Sequence, residues 1–204
     1  MDRTAVILAG GQGQRMGGVN KAFLSLGNER FIERQIRVVR EWTDEIIVVS
    51  NDEHYNSQLK QYIDIRIVRD VYEGEGPLAG FHAGVSAATR SNVWVLGCDQ
   101  PFPDAAAAEY LQTRLDGGAF QAAIPLMEGR PQPLHAIYRK ETGIIAEKLL
   151  KAGERKFLAL LDHFHWCGIE EGEFIERGIS LVFNHDVDTP EQHEKANFLF
   201  SEEK

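Results

Sequence analysis

An apolar run, Thr4-Ala5-Val6-Ile7, empties directly into Leu8-Ala9-Gly10-Gly11-Gln12-Gly13-Gln14-Arg15-Met16-Gly17-Gly18-Val19-Asn20-Lys21, and few folds accommodate a strand that feeds such a loop. Glycine lacks a Cβ and tolerates positive φ, so a loop of this kind lets several backbone N–H groups approach phosphate oxygens closely. Arg15 then offers a planar fork of donors and Lys21 a point charge. Together these features describe a pocket for a polyphosphate.

Three standard glycine loops do not fit. No Gly-Lys-Ser or Gly-Lys-Thr occurs, which removes the P-loop. In Gly11-Gln12-Gly13-Gln14-Arg15-Met16, Met16 stands where a dinucleotide fold needs its third Gly or Ala. The acidic residue expected about twenty positions further on falls near Glu33, inside an expected helix. A kinase loop would need a later His-Arg-Asp and Asp-Phe-Gly, and the chain has neither.

Composition narrows the partners. With 204 residues, 43% of them hydrophobic, the chain can bury the core of one ordinary domain. A formal net charge of -9 argues against nucleic acid or an anionic membrane as the main partner. An acidic protein that binds a triphosphate must concentrate its few site cations and recruit a metal, which sharpens interest in Arg15, Lys21 and nearby carboxylates. The two cysteines, Cys98 and Cys167, have neither disulfide-framework nor zinc spacing and are expected to be neutral thiols. The apolar run behind Asp2 and Arg3 is too short for a signal-peptide core, and no run approaches transmembrane length, so a cytoplasmic location is expected.

Beyond the loop, strands and helices alternate. Leu24 to Glu29 reads as a short extended piece turning at Gly27-Asn28, and Ile32, Ile36 and Val39 recur at helical spacing towards Trp42. Glu45 to Ser50 is a β-branched run suited to a strand buried on both faces. Ile65 to Val68 gives another strand ending at Asp70, and Pro77 opens a helix with Leu78, Phe81, Val85 and Ala88 on one face. Val93 to Leu96 is a strand ending in Gly97-Cys98-Asp99-Gln100-Pro101, with a helix from about Asp104 to Leu115. Ala122 to Ile124 and Leu134 to Tyr138 read as later strands antiparallel to the first set. Helices are expected at Thr142 to Lys151 and Lys156 to Phe164, a short strand near Leu181 to Phe183, and a last helix after Pro190. Lys148, Lys151, Arg155 and Lys156 read as a solvated helix face.

The carboxylates that could carry metal are Asp70, Asp99 and Asp188. Residues just past the carboxyl ends of neighbouring parallel strands converge on one crevice. A carboxylate beside a triphosphate is the usual setting for Mg²⁺. Asp99 is the best placed, because Gly97 clears space before it and Pro101 stiffens the chain after it.

Leu8-Ala9-Gly10-Gly11 with Arg15-Met16-Gly17 and Lys21, then Asp70, Gly76-Pro77-Leu78-Ala79-Gly80, Cys98-Asp99-Gln100-Pro101 and Asp186-Val187-Asp188-Thr189-Pro190-Glu191, resemble the molybdenum cofactor guanylyltransferase family over residues 4 to about 196. The first loop and the strand-end Asp are shared with sugar-phosphate and cytidylyl enzymes. The second Gly of Leu-Ala-Gly-Gly, the Gly-Pro-Leu-Ala-Gly run and the closing Thr-Pro-Glu narrow the match. The chain departs from the family at Asp188, where Asn is usual.

The resemblance implies an α/β fold of three α/β/α layers around a mostly parallel, Rossmann-like nucleotidyltransferase sheet. It implies a single nucleotidyltransferase domain over 1–204, the first half binding nucleotide and the second the acceptor. Leu8, Ala9, Gly10 and Gly11 would contact a guanine nucleotide, Lys21 its phosphates, Asp70 the nucleoside, and Asp99 both nucleotide and Mg²⁺. Arg15, Lys21 and Asp99 would be the catalytic set, with Gly76 and Gly80 packing closely on base or ribose and Asn51 a further nucleotide contact. Arg130 and His135 are acceptor-side candidates. The implied reaction joins GMP from GTP to molybdenum-molybdopterin, with transient contact with molybdoenzymes or other cofactor-synthesis proteins. The alternatives are a cytidylyl or sugar-phosphate nucleotidyltransferase and a non-catalytic GTP-binding sensor.

Overall fold

Four β-branched runs set the frame of the protein. The structure is a computed structural model that describes residues 2–10, 21–72 and 74–202. Strands β1 (Arg3–Leu8), β4 (Glu45–Val49), β5 (Ile65–Val68) and β6 (Asn92–Gly97) pair in parallel, β1 lying between β4 and β6. Alternate residues take opposite faces, as strand geometry requires. Ala5, Ile7, Ile46, Val48, Trp94 and Leu96 join one buried cluster, and Val6, Ile47, Val49, Val93 and Val95 join another. Two apolar faces need two helical layers, so the runs are continuous rather than alternating.

On one side lie α1 (Phe31–Val39) and α4 (Ala105–Asp116); on the other lie α3 (Pro77–Ala87) and α5 (Thr142–Lys151). The Asp104 carboxylate caps α4 by accepting from the Ala107 N–H at 2.9 Å. Pro77 occupies the first turn of α3 behind Gly76, whose φ of 85° excludes ordinary side chains. α3 lies close on the sheet because Gly84 faces Val6, where an added Cβ would stand 2.3 Å from Val6 Cγ1. Gly80 lies in ordinary contact with β1, where an added Cβ would stand 3.6 Å from Leu8 Cδ2.

The full order is β10-β7-β9-β6-β1-β4-β5, with β8 (Arg130–Pro131) on β7, eight strands among the described residues. The three-layer, mostly parallel expectation holds. β9 (Ala136–Arg139) is antiparallel to both neighbours, whereas β7 (Ala122–Met127) is antiparallel to β9 and thus runs with β6, and β10 (Trp166–Glu170) is parallel to β7. The expected antiparallel pair therefore holds for one strand of the two. β9 starts at Ala136 rather than Leu134 because His135 has a φ of 60°, outside the extended region.

Other segments differ from the sequence expectation. Phe157–His163 and Leu181–Asn184 are 3₁₀ helices, not an α-helix and a strand. Arg155 and Lys156 lie beyond the end of α5, in the connection to that first 3₁₀ segment, so they do not share the helix face of Lys148 and Lys151. Helices α2 (Glu53–Leu59) and α6 (Glu171–Ile175) and strand β10 add to the elements that the sequence pattern predicts. A small hairpin of β2 (Ser25–Leu26) and β3 (Glu29–Arg30) turns at Gly27, with φ 59°. It packs with Phe102, Val187 and the closing helix α7 (Pro190–Glu202) in a third apolar cluster. Both cysteines are free and buried. Among the described residues no helix is long and apolar enough to cross a membrane.

Candidate active site

The chain reverses direction across the sheet at β1, with β4 on one side and β6 on the other, which makes the carboxyl ends of these strands the natural crevice. Leu8 and Ala9 are held there by backbone bonds: the Cys98 N–H donates to Leu8 O at 3.0 Å, and the Ala9 N–H donates to Val49 O at 2.9 Å. Gly10 follows, exposed, and a Cβ on it would meet nothing within 4 Å. Gly11 and Arg15 lie outside the described residues.

The chain returns at Lys21, in a 3₁₀ turn over Lys21–Phe23. Its ammonium donates to Asp99 Oδ2 at 3.1 Å and to Asp188 Oδ1, joining residues 78 and 167 positions away. Burial works against the Lys21 charge, but the Asp188 hydrogen bond and the charge and hydrogen bond of Asp99 outweigh it, so the ammonium is held above its ordinary pKa. Lys21 is therefore a fixed cation between two carboxylates.

Asp99 stands on a tightly tied turn. The Gln100 N–H donates to Gly97 O at 3.1 Å, the Gly97 N–H donates to Gln100 Oε1 at 3.1 Å, and the Val187 N–H donates to Asp99 O at 2.9 Å. A Cβ on Gly97 would lie 2.5 Å from Asp99 Oδ1, so the space expected before Asp99 is present and filled by its carboxylate. Gln192 Oε1 accepts from the N–H groups of Asp188 and Thr189 at 2.7 and 2.9 Å, anchoring the closing segment at the start of α7. Asp186, which sequence reasoning quoted without a role, joins the same neighbourhood. Burial of its carboxyl and then the charge of Asp99 raise its pKa to about 6, although the residue as a whole is exposed.

Asp70 stands apart from the Lys21 cluster, two strands beyond β1. Its N–H donates to Asn51 Oδ1 at 2.8 Å, Asn51 Nδ2 donates to Asp70 O at 3.2 Å, and its Oδ1 accepts from the Tyr72 N–H at 2.8 Å. Asn51 thus ties the ends of β4 and β5 together. His135 does not reach the crevice: it is fully buried, its Nε2 accepts from the Asp104 N–H at 3.1 Å, and burial lowers its pKa to about 3. Arg130 is exposed on the β7–β8 hairpin, at the end of the sheet where β6 delivers Asp99. The Cys98 thiol, beside Asp99, is pushed up by burial and is no nucleophile.

Two carboxylates converging on one ammonium form an oxygen donor set that suits a hard divalent cation. Among the described residues no group of three or more His, Cys, Asp or Glu side chains is placed to hold a metal.

The chain matches the family model for a MobA-like NTP transferase domain over residues 5–165. It is 33% identical over 175 residues to a probable molybdenum cofactor guanylyltransferase of Clostridium perfringens strain SM101, covering 86% of this chain and 85% of that one. A relative of the same description from Geobacillus sp. strain WCH70 is 34% identical over 92% of this chain and 94% of its own. The molybdopterin-guanine dinucleotide biosynthesis protein A of Archaeoglobus fulgidus shares the fold, with a TM-score of 0.84 at 23% identity, over 98% of this chain and 99% of that one. The strand-to-glycine-loop entry, the Lys21–Asp99 pair across the β1–β6 crevice and these likenesses agree, and the chain belongs to the molybdenum cofactor guanylyltransferases of the MobA-like NTP transferase family.

Proposed function

We propose that the protein transfers GMP from GTP to the terminal phosphate of molybdenum-molybdopterin, releasing pyrophosphate and forming the guanine dinucleotide form of the cofactor. The observation that carries this reading is the Lys21–Asp99 contact of 3.1 Å at the crevice, a cation and a carboxylate fixed side by side at the mouth of a glycine loop. An oxygen of the pterin phosphate attacks the α-phosphorus of GTP in line. The bond from the α-phosphorus to the oxygen bridging to the β-phosphorus breaks, and pyrophosphate leaves. Both reactants are anions, so catalysis rests on positioning and charge neutralisation. A phosphate monoester is already ionised near neutral pH and needs no side-chain base.

Lys21, with Arg15 from the loop, stabilises the departing pyrophosphate, while Leu8, Ala9, Gly10 and Gly11 line the nucleotide and Asp70 meets the nucleoside. Asp99, with Asp188 beside it, would hold Mg²⁺, which when bound offsets phosphate charge and polarises the phosphoryl group. The half built on β1, β4, β5 and β6 serves the nucleotide. The half carrying the β7–β8 hairpin and Arg130 serves the acceptor.

The test is Mg²⁺-dependent pyrophosphate release with each of the four nucleoside triphosphates, with and without molybdenum-loaded molybdopterin. Release with GTP, and only with the pterin present, is the expected result. A CTP preference would move the chain to cytidylyl chemistry. Tight GTP binding without release from any nucleotide would indicate a sensor.

A further inference from the structure

Gln35 is fully buried in the second turn of α1, a helix whose remaining buried positions, Phe31, Ile32, Ile36 and Val39, are apolar. Its Nε2 lies 2.7 Å from Gly97 O and 2.8 Å from Gln100 O. Both amide protons are thus donated to the two carbonyls that bracket Cys98-Asp99, and neither returns to its own helix. Its Oε1 is buried without a hydrogen-bond partner among the described residues. Leaving a buried carbonyl unpaired is unfavourable, so an apolar residue would serve simple packing better here. What the amide adds is its grip on one turn.

We infer that Gln35 is a positioning residue for Asp99: from α1 it clamps the turn that presents the Asp99 carboxylate to Lys21 and to the phosphate site. The inference rests on the role proposed above for Asp99. Each of the turn's other ties comes from a different quarter. Cys98 is bonded to β1, Asp99 O to Val187 in the closing segment, and Gly97 to Gln100 within the turn. Gln35 supplies the tie from beneath, through the helix that follows the glycine loop and the β2–β3 hairpin. The turn cannot stiffen itself by gaining a side chain at Gly97, because that space holds Asp99 Oδ1. Partners that orient a metal-site ligand typically change affinity or activity by about 10–100-fold when lost, which sets the expected size of the effect.

The experiment compares wild type with Gln35→Met, which keeps length and volume but donates nothing, and with Asp99→Asn. Mn²⁺·GTP binding is followed by electron paramagnetic resonance, and kcat and KM by pyrophosphate release. Gln35→Met is expected to weaken Mn²⁺·GTP binding roughly ten-fold or more and to lower kcat. Its affinity for metal-free GTP and its KM for the pterin should stay at the wild-type value. A lowered unfolding midpoint with unchanged Mn²⁺ dependence would make Gln35 merely structural and overturn the inference. If Asp99→Asn binds Mn²⁺·GTP like wild type, the assignment of Asp99 itself fails. If Asp99→Asn loses binding while Gln35→Met keeps it, only the Gln35 inference fails. A measurement on the unaltered chain guards against misfolding of the variant. The Gln35 side-chain amide resonances should shift on adding Mg²⁺·GTP in wild type and not in Asp99→Asn, and unmoved wild-type resonances would overturn the inference.

Discussion

A single methyl group at Gly97 tests the site more sharply than removal of any charge. In Gly97→Ala the new Cβ would stand 2.5 Å from Asp99 Oδ1 and 3.0 Å from Leu134 Cδ1, where ordinary contact begins at 3.4 Å. The carboxylate oxygen must retreat by about 0.9 Å, and a reacting group displaced by about 1 Å loses roughly 100-fold in rate. That corresponds to about 2.7 kcal/mol on the barrier. Crowding should also destabilise the fold by about 1–3 kcal/mol. The two effects separate in Gly97→Ala combined with Leu134→Ala. Trimming Leu134 relieves the apolar clash but leaves the carboxylate displaced, so the urea midpoint should recover in part while pyrophosphate release does not. Activity of Gly97→Ala within a few-fold of wild type would refute the idea that the position of Asp99 is set by the bare backbone at Gly97.

Asp99→Ala should abolish pyrophosphate release, a loss of roughly 100-fold or more, with an unchanged circular dichroism spectrum; retained turnover would remove Asp99 from the mechanism. Asp188→Asn takes away one of the two carboxylates that hold the Lys21 charge, so the ammonium should fall toward its ordinary pKa. Acylation of Lys21 followed by mass spectrometry should then be faster than in wild type at equal pH, and an equal rate would count against the pairing. Buried His135 has a pKa of about 3 in the folded chain against 6.5 as its ordinary value, so between these limits the unfolded chain binds the extra proton. Its contribution is therefore complete above pH 6.5 and is lost as pH falls toward 3. His135→Gln should flatten the urea-midpoint profile across that window, and superimposable profiles would exclude the buried neutral ring as its cause.

What the sequence made legible was local. The apolar runs of β1, β4 and β6 declare their burial on two faces, Pro77 and Asp104 declare helix starts, and Gly97 beside Asp99 declares a crowded strand end. What it hid depends on partners far along the chain. Gln35 reaches residues 62 and 65 positions away, and Lys21 meets Asp188 across 167, so no motif spacing encodes either contact. Phe157, Leu160 and Leu161 bury equally well from a 3₁₀ helix, and their spacing could not select the helix type. β10 is short and interrupted by Gly168, where a Cβ would strike Leu126 Cδ1 at 2.7 Å. His135 is an acceptor-side candidate only by its place in the second half of the chain, and its ring packs on Trp94 and Phe183 in the core.

A chain with a net charge of -9 that handles two phosphorylated substrates cannot rely on a broad positive field. The alternative is a few groups fixed before the substrates arrive, since donors and charges that need no rearrangement stabilise a transition state most effectively. The Asp99 turn has this character: its backbone is tied to β1, to α1 through Gln35 and to the closing segment through Val187, and its carboxylate faces a lysine already held in place. Those ties come from parts of the chain that meet only once the whole sheet is assembled. Rigidity at Asp99 is therefore a property of the complete fold, and damage at Gln35 or Val187 should reach the chemistry without touching a substrate.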